Sequence, residues 1–111
     1  MCVYNILAKS TNGYVILCNQ CNHYQMAFGT TAVTFKVNAF KDFCEYVICL
    51  NDSITSNGFD MDKRIKVDLL SDTAMMILNY KELKQLFEII CEAKFNLEVE
   101  DTLHELNLIT E

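Results

Sequence analysis

Residues 14–28, YVILCNQCNHYQMAF, decide how the rest of the chain is read. Two apolar strands meet there in a Cys-x-x-Cys turn built on Cys18 and Cys21, and His23 lies two residues beyond the second cysteine. Upstream, residues 4–8 form a short apolar run suited to a strand, and Thr11-Asn12-Gly13 separates it from the strand at residues 14–18. Asn-Gly between two β-like runs is a strong hairpin signal, because both residues tolerate positive φ. With Asn12-Gly13 as the loop, Leu7 faces Cys18 and Tyr4 faces Cys21, which brings Cys2 towards the turn.

Downstream, Tyr24, Met26 and Phe28 alternate on one face of a half-buried strand. Gly29-Thr30 ends it, and residues 32–37 form another strand with Val33, Phe35 and Val37 inward. Asn38 suits an N-cap. Phe40, Phe43, Cys44 and Val47 then recur at helical spacing, which predicts a helix of about three turns ending near Leu50. Residues 51–57, with Gly58 after them, read as a polar loop.

The second half repeats the order. Residues 64–70 read as a strand with Ile65, Val67 and Leu69 inward, and residues 73–78 as its partner. Asn79-Tyr80-Lys81-Glu82 resembles a capping box, and Leu83, Leu86, Phe87 and Ile90 give the apolar stripe of a second helix. Leu97 and Val99 suggest a short strand, and Thr102-Leu103-His104-Glu105 a capping box opening a last short helix. An offset of 43 superposes the halves: Tyr24 on Val67, Met26 on Leu69, Phe35 on Leu78, Phe40 on Leu83 and Val47 on Ile90. Phe28 falls on Ser71, a miss. Internal duplication accounts for this pattern, and so does the apolar periodicity shared by any two strand-strand-helix units.

The expected architecture is α+β: an antiparallel sheet made from an N-terminal hairpin and two strand-strand-helix units, with the helices on one face. At 111 residues, with 51% hydrophobic residues, the chain has material for one core, so residues 1–111 are expected to form a single domain. There is no proline and only three glycines, so no stretch reads as a linker.

Nine basic residues stand against fifteen acidic ones, a net charge of −6. That balance repels nucleic acid and anionic membrane. The one basic cluster, Lys63, Arg64 and Lys66, reads as gatekeeping charge on a strand. The N-terminus MCVYNILAKS lacks the pattern of a secretory signal, and no apolar run approaches the roughly 20 residues that span a bilayer. A cytoplasmic chain is expected, with its six cysteines reduced or metal-bound.

Cys18 and Cys21 have the spacing of a metal knuckle, in which two intervening residues let both thiolates reach one ion, and sulfur suits zinc. The candidates for the remaining ligands are Cys2, through the hairpin register, and His23, through proximity. The plain alternative is a pair of small reduced turn cysteines. Thiol–disulfide exchange is disfavoured, because such a motif normally opens a helix, and here a β pattern follows. Cys44 lies on a helical apolar stripe and reads as core, and His104 has no cysteine or serine partner in sequence. The glycines are isolated, so there is no phosphate loop, and no catalytic constellation emerges.

Taken together, Cys2, the Asn12-Gly13 hairpin, Cys18-x-x-Cys21, Met26-Ala-Phe28, Lys63-Arg64-Ile65-Lys66-Val67 and Asn79-Tyr80-Lys81-Glu82-Leu83 resemble a small, functionally uncharacterised domain family found in Bacteroidetes. The resemblance implies an N-terminal cysteine and histidine two apart, followed by the Cys-x-x-Cys, as four zinc ligands. Here Tyr4 stands at the histidine position, and His23 is the nearby replacement. The resemblance brings no activity. The expected function is a non-enzymatic protein-interaction or regulatory module, with another protein or a second copy as partner. The alternative is a zinc-ribbon-like module held by Cys2, Cys18, Cys21 and His23.

Overall fold

The structure is a computed structural model that describes residues 4–18, 20–55, 65–71 and 74–110, with side chains for 4–18, 20–53, 65–69 and 74–99. Four strands, β1 (Tyr4–Ser10), β2 (Gly13–Cys18), β3 (His23–Phe28) and β4 (Thr31–Lys36), form an antiparallel sheet in chain order. Helix α1 (Val37–Thr55) follows, then the hairpin β5 (Ile65–Ser71) and β6 (Ala74–Leu78), then helix α2 (Tyr80–Thr110). The class is α+β with two strand-strand-helix units, as expected. The strands divide between two sheets, however, with β5–β6 standing as a separate two-stranded one.

The first hairpin forms in a different register from the expected one. Its loop is Thr11-Asn12, Ser10 pairs with Gly13, and Tyr4 pairs with Cys18. Gly13 is needed for space rather than for positive φ: a methyl group there would run into the Ala27 carbonyl oxygen on β3. A bulge between Ile6 and Ala8 then shifts the pairing and turns both Leu7 and Ala8 inward. The turn after Phe28 has positive φ at Gly29, its first central residue, which suits a two-residue hairpin loop.

The inner face of the sheet alternates as the sequence predicts. Val15, Leu17, Tyr24, Met26, Phe28 and Phe35 are buried against the helices. Tyr24 stacks on Phe40 at 4.6 Å and Phe35 on Phe43 at 4.9 Å, so α1 is seated by two aromatic pairs. Val67, Leu69, Met76 and Leu78 of the small sheet join the same apolar cluster. Phe87, expected in the core, is only partly buried. The hydroxyl of Tyr46 accepts a hydrogen bond from the Asp68 amide at 3.0 Å, tying α1 to β5.

Both helices differ in extent from the sequence reading. α1 starts at Val37, so Asn38 lies inside its first turn, and it runs past Leu50 through the start of the expected loop to Thr55. Residues 56–58 of that loop, like Lys63, Arg64 and Thr73, lie outside the described residues. The start of α2 is as read: the Glu82 amide donates to Asn79 Oδ1 at 2.8 Å, and the Asn79 amide donates to Glu82 Oε1 at 3.1 Å. Its end is not. Leu97 and Val99 are helical rather than a strand, and Thr102 opens no new helix, because the backbone is continuous to Thr110. Leu97 is buried on the helix's inner row, so packing decides its conformation over local propensity.

Candidate functional site

Strand alternation puts a second set of side chains on the outer face of the four-stranded sheet, away from the helices. The registers align them in three cross-strand rows. Tyr4, Cys18, His23 and Lys36 form one, and Ile6, Ile16, Gln25 and Thr34 the next. Lys9, Tyr14, Ala27 and Ala32 form the third. The bulge at Leu7 is what delivers Lys9 to this face, because it resets the alternation of β1.

A solvated sheet face normally alternates polar against the buried side. Here the middle row opens with an Ile6–Ile16 pair flanked by Tyr4 and Tyr14, and Ile6 is 63% and Tyr4 54% exposed. These side chains line a shallow concavity of about 560 Å³ that also takes in Lys9, Asn12 and Ala27. A second hollow of about 270 Å³ continues from Tyr4 and Ile16 to Cys18, Cys21 and His23.

The Cys-x-x-Cys turn sits at one end of this face. Asn22 takes φ of 59° to close the loop, and its amide donates to the Cys18 carbonyl at 2.8 Å. The Cys21 amide donates to Cys18 Sγ at 3.4 Å. Cys18 is buried, Cys21 is exposed and His23 is half-buried. His23 is the direct cross-strand neighbour of Cys18, so alternation places it on the same face. Tyr4 is the neighbour of Cys18 on the other side. Cys2 lies outside the described residues. Among the described residues, no group of three His, Cys, Asp or Glu side chains is arranged to hold a metal ion.

The remaining described cysteines serve packing or lie at the surface. Cys44 is buried, and that burial pushes its thiol up to about 12, with Lys94 pulling the other way. Burial also raises Cys91. Cys49 is exposed on α1. The side chain of His104 lies outside those described.

Reading the sequence by periodicity left one signal unused. No Asp or Glu precedes Asp42. Residues 1–36 carry only Lys9 and Lys36, a net +2, whereas residues 37–111 carry the other seven basic residues and all fifteen acids, a net −8. The whole four-stranded sheet is therefore free of acidic side chains in an acidic protein. No described helix is long and apolar enough to cross a membrane.

These features define a small α+β domain whose distinctive surface is an acid-free, partly apolar sheet face. The chain belongs to a family of unknown function, DUF6686, whose model matches residues 1–108. That agrees with the resemblance to an uncharacterised family, and it brings no activity and no ligand set. No curated protein and no solved structure matches the chain.

Proposed function

We propose that this domain is a non-enzymatic protein-interaction module that binds through the outer face of its four-stranded sheet. The observation that carries the reading is exposed Ile6, paired with half-buried Ile16 and standing beside exposed Tyr4 and half-buried Tyr14. Apolar residues grouped on a surface, with tyrosine among them, are typical of binding faces. The concavity falls within the roughly 300–1,000 Å³ of small-ligand sites. Its walls, however, are more than half exposed at Tyr4 and Ile6, which favours a broad partner over an enclosed small molecule. Nucleic acid and anionic membrane are poor partners for a chain of net charge −6.

The test is photo-crosslinking in the cells that make the protein. A benzophenone amino acid at Ile6 is expected to give discrete adducts with protein, and the same group at Glu45, on the exposed side of α1, none. Absence of adducts at Ile6, or equal adducts at both positions, contradicts the reading.

A second reading is favoured by the turn itself: a structural zinc held by Cys18, Cys21, His23 and Cys2. An amide donated to the Cys18 sulfur stabilises a thiolate. Cys18, Cys21 and His23 also border one hollow. The described side chains do not converge as placed, so this reading requires Cys18, Cys21 and His23 to reorient about one ion, with Cys2 as the fourth ligand. It is tested by metal analysis of protein purified without added zinc. Near one zinc per chain, lost in Cys18→Ser and kept in Cys44→Ser, supports it. A zinc content near zero refutes it.

A further inference from the structure

The interaction reading leaves the partner open, and α2 supplies a candidate. Its inner row, Leu83, Leu86, Ile90, Ala93 and Leu97, is buried. At about 100° per residue, Phe95 and Val99 point the opposite way, where they are 64% and 39% exposed. This outward face is acidic in its first half, at Glu88 and Glu92, and turns apolar at Phe95. The backbone stays helical to Thr110, and the sequence keeps the same spacing with Leu103 and Leu106. Around those positions stand Glu98, Glu100, Asp101 and Glu105. The distal half of α2 thus has the sequence pattern of an acidic amphipathic helix, and the described part of its apolar stripe, Phe95 and Val99, is turned away from the chain's own core.

The outer sheet face has the complementary character. It is apolar at Tyr4, Ile6 and Ile16, carries Lys9 and Lys36 at opposite ends, and has no acid. Resting on the interaction reading, we propose that the partner is a second copy of this chain. The distal half of α2 from each copy lies on the outer sheet face of the other, and a two-fold axis closes the pair. Charge selects this arrangement over the other symmetric pairings. Helix against helix would bring the Glu92 and Glu98 carboxylates of the two copies together, and sheet against sheet would set lysine against lysine. The reciprocal arrangement covers the exposed apolar residues of the sheet face and of α2 together.

The experiment is mass in solution by light scattering after size exclusion, on the full chain and on Ile6→Glu and Phe95→Glu, with circular dichroism melts to show that each variant is folded. The wild type is expected at twice the 12.8 kDa chain mass. Each variant alone is expected at half the wild-type mass. An equimolar mixture of the two is expected to recover the dimer mass, because one intact helix then meets one intact sheet face. A wild-type monomer overturns the proposal. So does loss of mass in only one variant, which marks helix–helix or sheet–sheet pairing, and so does a mixture of folded variants that stays monomeric. A wild-type monomer that still crosslinks from Ile6 to a different protein retires the second copy and leaves the interaction face standing. A monomer with no Ile6 adduct retires both.

Discussion

Cys44 is core, as its place on the apolar stripe of α1 predicts. On α1 it faces α2 near Cys91 and Lys94, and losing its hydration there moves its thiol from 9.0 to about 12. Two consequences follow from one cause. At neutral pH almost no thiolate forms, so an alkylating reagent is expected to label Cys21 and Cys49, both exposed, well before Cys44. The folded state also holds this proton more tightly than the unfolded chain does. The stability it contributes is therefore complete below pH 9 and declines as the pH rises from about 9 towards 12. Peptide mapping of the labelled protein checks the first point, and the alkaline fall of the urea midpoint, smaller in Cys44→Ala than in the wild type, checks the second. Labelling of Cys44 at the rate of Cys49 in the folded protein would contradict both.

Among the elements, what was legible in the sequence depended on how local its cause was. The Asn79–Glu82 capping box needs only four residues, and both of its hydrogen bonds form. The inward alternation of β3 needs only its own period, and Tyr24, Met26 and Phe28 are all buried. The first hairpin was legible as a hairpin, yet its register was not. Asn12-Gly13 pointed to one loop, whereas Gly13 is required by the Ala27 carbonyl on the neighbouring strand, a contact no local pattern reports. The bulge at Leu7 is similarly non-local, and on the edge of β1 the Asn96 side chain donates to the Leu7 carbonyl at 2.6 Å. The continuous α2 was misread for the opposite reason: Leu97 and Val99 alternate locally like a strand, whereas in the helix Leu97 continues the buried row and Val99 faces out. The repeat at an offset of 43 survives in the turns, where Phe28–Thr31 corresponds to Ser71–Ala74. It slips by two residues beyond the irregularity between Asp68 and Ser71, where Val67 pairs with Met76 rather than Leu78. The candidate zinc ligands were legible as a spacing, and the structure adds that Cys18 and His23 are cross-strand neighbours.

For the molecule as a whole, charge and shape divide the same way. The acid-free sheet is one part, and residues 37–111, which carry all fifteen acids, are the other. At about 1.5 Å per residue, the 31 residues of α2 span about 46 Å, in a body of 53 × 30 × 27 Å. The radius of gyration, 15.1 Å, exceeds the roughly 13 Å of a compact domain of this length, in keeping with the 53 Å long axis. The apolar outer face is not covered by the chain's own packing, with Ile6 63% and Tyr4 54% exposed. Unfolding in urea tests this, at protein concentrations low enough that the midpoint no longer depends on them. Leu7→Ala, on the inner face, is expected to cost about 2–5 kcal/mol, as for other fully buried leucines. Ile6→Lys, one residue away and facing out, is expected to change stability by less than about 0.5 kcal/mol. A loss of about 2 kcal/mol or more in folded, monomeric Ile6→Lys would mean that the outer face belongs to the chain's own core and is not kept for a partner.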